Sequence, residues 1–204
     1  MRLFWSSRSP FVRKVMVFAH EKGVADRLEP ERVVVGAASP NERVMRDNPL
    51  NKIPTLVLPD GTAFYDSRVI CEFLDGLGDG PALVPTGPAR WTAMRLQALG
   101  DGLMELNVAR IGENNRPEAI RSDPHQVAFR AKTAATLDRL EGDAALLSGA
   151  AFHVGAIAVA VAFSHLDFRF AADAWRGTRP GLAAWHERVR QRPSMQQTEF
   201  RDEY

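Results

Sequence analysis

The stretch "KIPTLVLPDGTAFYDSRVICEFL" (52–74) decides the fold, because it joins two strand signals to a helix signal. "TLVL" (55–58) is a short apolar run that predicts a strand, and Asp60-Gly61 predicts a tight turn into a second strand within "PDGTAFY". The following "SRVICEFLDGL" has the apolar spacing of an amphipathic helix. This stretch therefore predicts two antiparallel strands and a helix, the second half of a small α/β domain.

The residues before this stretch alternate between strand and helix patterns. "RLFW" (2–5) predicts a strand, "RVVV" (32–35) predicts a short buried strand, and "NERVMRDN" (41–48) predicts a short polar helix. Between the first two, "PFVRKVMVFAHEKGV" predicts a helix that ends at Gly23. The order is βαβ followed by αββα, so we expect a sheet that is partly parallel and partly antiparallel.

The second half of the chain is predicted to be helical. Residues 79–89 read "DGPALVPTGPA", a composition typical of a linker, and long helical patterns follow it. The run 154–164 is apolar on all sides, which predicts the buried centre of a helical bundle, and "GLAAWHERVRQRP" predicts a closing helix stopped by Pro193. The expected organisation is an α/β domain over 1–78, a linker over 79–89 and an all-helical domain over 90–204.

Composition excludes several classes of protein. The 204 residues include 26 Lys and Arg against 25 Asp and Glu, so no global charge favours nucleic acid or an anionic membrane. One cysteine excludes an intrachain disulfide framework, and the five histidines form no ligand-like cluster, so we expect no metal. The N-terminus lacks a signal-peptide pattern, and "AIAVAVAF" (156–163) is shorter than the roughly 20 residues of a membrane span. We expect a cytoplasmic protein.

Ser9-Pro10, just before the first predicted helix, supports two hypotheses. Serine at an N-cap with proline at the first helical position is a common helix start. The same hydroxyl would also lie at the carboxyl edge of the sheet and at the positive end of a helix dipole. There it can donate a hydrogen bond to an anion such as a thiolate.

Two further segments carry polar or backbone groups suited to a peptide-like ligand. Proline within "NPLNKIPTLVL" (48–58) precedes a strand, and the backbone before it is left free to pair with an extended ligand. Asp66 and Ser67 begin a helix, where they can simply cap it. A serine hydroxyl and free amides at a helix N-terminus can also bind a carboxylate, and a neighbouring acid can bind an ammonium group.

Taken together and in this order, "SPFVRKV", "NPLNKIPTLVL" and "DSRVICEFL" resemble the three glutathione-site segments of the cytosolic glutathione S-transferase family. The resemblance covers essentially the whole chain and implies a thioredoxin-like βαβαββα domain followed by an all-helical domain. The resemblance is to bacterial, serine-type members whose N-terminal domain is similar to those of the omega, tau and zeta classes. It implies that Ser9 hydrogen-bonds the glutathione sulfur, although Ser6 and Ser7 of "SSRS" remain alternatives.

The resemblance also implies the other glutathione contacts. Ile53 would pair its backbone with the cysteinyl part, with Pro54 as the family's cis-proline. Asp66 and Ser67 would bind the γ-glutamyl ammonium and carboxylate, and Lys52 would neutralise the glycyl carboxylate.

The implied function is a homodimeric glutathione transferase that activates the thiolate for attack on a small hydrophobic electrophile. The alternatives are a glutathione-dependent isomerase, dehalogenase or peroxidase using the same site, or a non-catalytic binding or regulatory protein of this fold. The segment "ALGDGLMELNV" (98–108) resembles the dimer-interface helix of bacterial members, which implies that Asp101 reaches the partner subunit's glutathione.

Two features need separate interpretation. Cys71 lies on the apolar side of its predicted helix, which favours a buried structural thiol over a reactive one. The family usually begins the buried helix of the second domain with Ser or Thr and has Asp three residues later. His153 and Ala156 occupy those positions here, so we expect the capping box to be lost at a cost on the order of 1 kcal/mol.

Overall fold

The computed structural model describes residues 1–203, which divide into two compact units. One unit comprises Met1–Arg90 and the C-terminal segment from Pro193 onward, and the other comprises Trp91–Arg192. The C-terminal segment groups with the first unit because its helix packs on the first helix of the chain. From the sequence we expect this segment in the helical domain over 90–204 instead.

The first unit contains the sheet and the second contains most of the helices. The strands are β1 (Arg2–Trp5), β2 (Glu29–Arg32), β3 (Thr55–Val57) and β4 (Ala63–Phe64). The helices are α1 (Pro10–Lys22), α2 (Glu42–Met45), α3 (Ser67–Asp75), α4 (Pro88–Asn114), α5 (Asp123–Gly142), α6 (Ala144–Gly149), α7 (Val154–Phe170), α8 (Pro180–Arg190) and α9 (Pro193–Gln197).

The sheet has the order β2-β1-β3-β4 and mixes both strand directions, as predicted. β2 runs parallel to β1, whereas β3 and β4 are antiparallel to their neighbours. α1 and α3 pack against each other. This βαβαββα arrangement confirms the expected thioredoxin-like class.

The second strand does not lie where the sequence predicted it. "RVVV" (32–35) was expected to be a buried strand, but β2 ends at Arg32 and Val34 is 72% exposed. β2 is an edge strand, paired with β1 alone, so it tolerates Pro30 and a largely exposed surface. Hydrophobic content therefore misplaced the strand by about three residues.

Proline also has a different role at the end of the chain. Pro193 was expected to stop the last helix, but α8 already ends at Arg190 and Pro193 is the first residue of α9. This agrees with the preference of proline for the first helical position, where its missing N–H has no intrahelical acceptor. The stop predicted at Gly23 is confirmed, because this residue caps α1 with a left-handed φ of 75°.

The central helix of the second unit is α7, and it is buried on every side as predicted. By length and hydropathy alone Val154–Asp173 would suffice to span a membrane, but 72% of its most apolar window is buried inside the chain. That burial is typical of a core helix. Its packing on α4 depends on glycine: a Cβ on Gly155 would lie 2.3 Å from the Ala93 carbonyl oxygen, and one on Gly100 would lie 2.5 Å from the Ala158 carbonyl carbon.

Candidate active site

Strand register brings the three segments singled out in the sequence to one edge of the sheet. Phe4 pairs with Thr55, so the chain leaves β1 toward Ser9 at the edge where it enters β3. Phe64 pairs with Leu56, so the chain also leaves β4 at this edge and passes directly into α3. The N-termini of α1 and α3 and the residues before β3 therefore surround one end of the sheet.

Ser9 is the N-cap of α1. Its Oγ accepts a hydrogen bond from the backbone N–H of Val12 at 3.3 Å, and its carbonyl accepts from the N–H of Arg13 at 3.0 Å. The hydroxyl proton has no acceptor among residues 1–203. The N-cap contact therefore fixes the oxygen and leaves the O–H available to donate to a ligand atom.

Ser6 and Ser7 use their hydroxyls differently. Ser6 Oγ accepts from the N–H of Arg8 at 3.3 Å in a local turn. Ser7 Oγ donates to the carbonyl oxygen of Arg201 at 2.9 Å, so its proton already has an acceptor within the chain. Of the three serines, Ser9 alone combines a helix N-terminus with a free hydroxyl proton in the described residues.

Ile53 and Pro54 form the second part of the candidate site. Their peptide bond is cis, as the resemblance implied. The Ile53 side chain packs against the apolar cluster that contains Phe4 and Val44. The backbone N–H and carbonyl of Ile53 have no hydrogen-bond partner within residues 1–203, so this short segment can pair with an extended ligand.

Asp66 and Ser67 form the third part, at the N-terminus of α3. Asp66 is exposed and caps the helix by accepting from the N–H of Arg68 at 2.9 Å. Ser67 is only 2% exposed, yet its hydroxyl has no hydrogen-bond partner among the described residues. A helix N-terminus, a hydroxyl and an adjacent carboxylate together suit a group that carries both an ammonium and a carboxylate.

The loop before β3 is braced by a residue that the sequence analysis missed. Asn48 is fully buried, and its Nδ2 donates to the Lys52 carbonyl at 3.1 Å and to Thr55 Oγ1 at 2.9 Å. Thr55 Oγ1 also donates to the Lys52 carbonyl at 2.9 Å, while the Lys52 side chain is exposed. Asparagine before proline, at the start of "NPLN", was the available signal, because asparagine often organises turns.

The expected loss of the α7 capping box is half wrong: the N-cap contact is kept, whereas Ala156 has no polar side chain to complete the box. His153 is the N-cap, and its Nδ1 accepts from the N–H groups of Gly155 at 3.1 Å and Ala156 at 3.3 Å. Burial lowers the pKa of His153, which favours the neutral ring that this acceptor role requires. Asp101 is 2% exposed in the single chain, and its expected contact with the glutathione of a partner subunit stays a prediction.

A serine–histidine pair in the second unit is structural. Ser164 Oγ lies 3.0 Å from His186 Nε2, and Nδ1 of the same ring accepts from the Arg176 guanidinium at 2.7 Å. His186 is fully buried, and burial together with the Arg176 charge lowers its pKa to about 3. It is therefore a poor general base without access to solvent.

Cys71 is fully buried as well, in agreement with a structural thiol.

No group of three or more His, Cys, Asp or Glu side chains within residues 1–203 is placed to hold a metal ion. The chemistry available at the sheet edge is therefore that of hydroxyl, carboxylate, ammonium and backbone groups. These groups can bind a zwitterionic head, pair with a peptide backbone and stabilise an anion beside Ser9.

Comparisons with known proteins agree with this arrangement. Residues 8–77 match the glutathione S-transferase N-terminal domain, and residues 107–188 match the C-terminal domain. The uncharacterized GST-like protein YibF of Escherichia coli K12 is 33% identical over 203 residues, covering 98% of each chain. The stringent starvation protein A homolog of Histophilus somni is 35% identical over 99 residues, which is 48% of this chain and 44% of that protein.

A glutathione transferase family member from Pseudomonas fluorescens Pf-5 has the same fold. Its structure with bound glutathione has a TM-score of 0.94 and 39% identity, covering 97% of this chain and 98% of that one. Its structure with bound S-(propanoic acid)-glutathione has a TM-score of 0.89 and 38% identity, covering 98% of each chain. The two domain matches and the full-length relative show that this chain belongs to the glutathione S-transferase family.

Proposed function

We propose that this chain is a glutathione transferase that activates the thiol of glutathione for attack on a small hydrophobic electrophile. The observation that carries the proposal is the Ser9 hydroxyl, whose oxygen is held by Val12 N–H at the start of α1 and whose proton is free to be donated. Glutathione bound to the Pseudomonas fluorescens relative supports glutathione as the co-substrate.

In this proposal each polar group at the sheet edge binds one part of glutathione. Asp66 binds the γ-glutamyl ammonium, while the Ser67 hydroxyl and the amides at the start of α3 bind the carboxylate. The backbone N–H and carbonyl of Ile53, which have no hydrogen-bond partner among the described residues, pair with the cysteinyl residue. Lys52 carries the positive charge for the glycyl carboxylate.

The magnitude required of Ser9 is modest. A free thiol has a pKa of about 8.5, and each unit of depression requires about 1.4 kcal/mol of preference for the thiolate. A hydrogen bond to a charged group contributes about 1.5–3 kcal/mol, and a helix N-terminus adds about 0.3–1 kcal/mol. Ser9 and α1 together can therefore lower the pKa of the bound thiol by about one to three units.

The reaction then proceeds by displacement or addition at the electrophile. The sulfur lone pair forms the new carbon–sulfur bond, and the electrons leave with a halide or move to the conjugated carbon, which is then protonated. The S-(propanoic acid)-glutathione bound to the Pseudomonas fluorescens relative is a thioether of the kind such a reaction produces. We extend the proposal to a homodimer, since Trp91 and Val108 on α4 are 75% and 46% exposed and would be covered by a second copy. We also propose a cytoplasmic location.

Replacement of Ser9 tests the proposal. Ser9→Ala should raise the pKa of bound glutathione by about one unit, lowering conjugation of chlorodinitrobenzene about tenfold below that pKa. Ser9→Asp keeps an N-cap acceptor but places a negative charge near the sulfur, so it should retain stability and lose activity. Light scattering of the intact chain tests the homodimer.

The control is Ser6→Ala, which removes another hydroxyl of the loop. Full activity in Ser9→Ala together with a loss in Ser6→Ala would refute the role of Ser9. The alternative is a non-catalytic binding or regulatory protein of the same fold. Failure of calorimetry to detect binding at millimolar glutathione would favour that candidate over the transferase.

A further inference from the structure

We infer that the C-terminal segment, residues 193–203, is a positioning element for the loop that carries Ser9. The inference rests on the proposed function, because the hydroxyl being positioned is the proposed thiolate donor. Its starting observation is that this segment returns from the helical part of the chain and groups with the α/β unit.

The first anchor lies on α1, the helix that Ser9 caps. Arg13 is 7% exposed, and its guanidinium donates to the Met195 carbonyl at 3.0 Å. The same guanidinium lies over the Phe200 ring, 4.5 Å from the ring centroid. Ser194 Oγ donates to the Glu21 carboxylate farther along α1. The segment is therefore fastened along one side of α1, from its C-terminal part to its first turn.

The second anchor lies on the loop itself. Ser7 Oγ donates to the Arg201 carbonyl at 2.9 Å, and the Arg201 N–H donates back to the Ser7 carbonyl at 3.3 Å. The next residue of the loop and the next residue of the segment form an ion pair, in which Arg8 Nε lies 2.8 Å from an Asp202 carboxylate oxygen. Two successive loop residues are thus tied to two successive residues of the segment.

These ties bear on Ser9 because the loop between β1 and α1 is short. Within the loop, Ser9 N–H donates to the Ser6 carbonyl and Arg8 N–H donates to Ser6 Oγ, each at 3.3 Å. These contacts fix the loop relative to Ser6, and the N-cap contacts fix Ser9 on α1. Ser7 and Arg8 lie between these two fixed points and are held by the ties to the C-terminal segment. A hydrogen bond from Ser9 to a sulfur depends on how the whole loop is placed.

The test compares three variants of the full chain. The first ends at Glu199 and removes the second anchor together with Phe200. The second, Asp202→Ala, removes only the ion pair with Arg8. The matched control is Glu199→Ala, which deletes an exposed carboxylate on the same segment that forms no hydrogen bond or ion pair within residues 1–203.

The readout is the pKa of enzyme-bound glutathione, measured from the ultraviolet absorbance of the thiolate. We expect the truncation to raise this pKa by about half a unit to one unit, which leaves about three to ten times less thiolate below the pKa. Asp202→Ala should raise it by a smaller amount, and Glu199→Ala should leave it unchanged. In a plot of kcat against pH, the acid limb should shift together with the pKa of the bound thiol. The affinity for glutathione should change little.

A purely structural segment would give a different result. If the truncated chain loses thermal stability but keeps the thiol pKa and the kcat profile of the intact chain, the inference is wrong. If the intact chain does not bind glutathione, the proposed function fails instead. Amide hydrogen exchange of Arg8 and Ser9 then decides: faster exchange after truncation supports the positioning role, and unchanged exchange overturns it. If truncation unfolds the chain, Asp202→Ala and Ser7→Ala provide the same comparison.

Discussion

Replacing His153 tests the cap that the structure reveals at the start of the central helix. His153 Nδ1 accepts from two successive backbone N–H groups, those of Gly155 and Ala156, at a buried helix end. His153→Ala leaves both donors without an acceptor. His153→Ser removes the ring but supplies an oxygen, which is the usual N-cap acceptor.

The magnitude follows from these contacts. Loss of an N-cap costs about 0.5–2 kcal/mol, and a buried donor left unpaired costs about 1–3 kcal/mol. We expect His153→Ala to lower the free energy of unfolding by about 2 kcal/mol, which corresponds to a fall in Tm of about 4–8 °C at this chain length. His153→Ser should lose about half as much, because it gives up ring contacts but keeps the cap.

The pH dependence separates the histidine cap from other causes. Burial lowers the pKa of His153 below its ordinary 6.5, so the unfolded chain binds more protons at this position than the folded chain does. The stability that the cap contributes is therefore complete above pH 6.5 and is lost as the pH falls through the folded pKa. His153→Ser carries no such proton, so its Tm should approach or exceed that of the parent chain as the pH falls from 8 to 5.

The assay is thermal unfolding followed by far-ultraviolet circular dichroism at several pH values. Taking the difference between the parent chain and His153→Ser cancels the contributions of the other histidines, including buried His186. His125→Ser is the control, because His125 is exposed and its loss should cost less than about 0.5 kcal/mol. A Tm difference that stays constant between pH 8 and 5 would refute the cap through Nδ1.

Two further sites yield predictions about stability, both measurable by chemical denaturation. Gly155→Ala and Gly100→Ala should each destabilise the chain by at least about 2 kcal/mol, because the added methyl meets backbone of the facing helix. Gly112→Ala on α4 is the control and should stabilise by about 0.5–1 kcal/mol, since its Cβ would meet nothing within 4 Å. Lys22→Met should lower the free energy of unfolding by about 1–3 kcal/mol. The reason is that Lys22 Nζ donates to the carbonyls of residues 80 and 81 and lies 3.7 Å from Asp75 Oδ1. An unchanged free energy would show that the Asp75 carboxylate needs no buried cation.

The sequence predicted those elements whose local signals agree with one another. Asp60-Gly61 between two apolar runs and Gly23 after a helical stripe are signals of this kind, and the structure confirms both. The prediction placed β2 too late in the chain, because the apolar run "VVV" (33–35) has the composition of a buried strand. The true strand lies at the edge of the sheet, where apolar residues are not needed. Such a strand is defined by its partner β1, which periodicity within the strand does not report.

The N-cap at His153 was missed because its acceptor is a ring nitrogen and not the side-chain oxygen of a usual N-cap residue. Histidine is uncommon as an N-cap, so the sequence predicted a loss at a position where the neutral ring supplies the N-cap acceptor. Asn48 was missed for a related reason: its contacts join Lys52 and Thr55 across a turn. Both residues act through atoms whose partners are known only once the backbone is folded.

Ser9 shows how a structural and a functional hypothesis for one side chain can both hold. A hydroxyl has lone pairs and one proton, and the helix N-cap uses a lone pair, since Val12 N–H donates to Oγ. A thiolate accepts a hydrogen bond, so it would use the hydroxyl proton. The cap therefore does not compete with the proposed role; it restricts rotation of the hydroxyl and removes some of the entropy that binding would otherwise cost. Ser7, whose proton goes to Arg201, has no donor left for the same task.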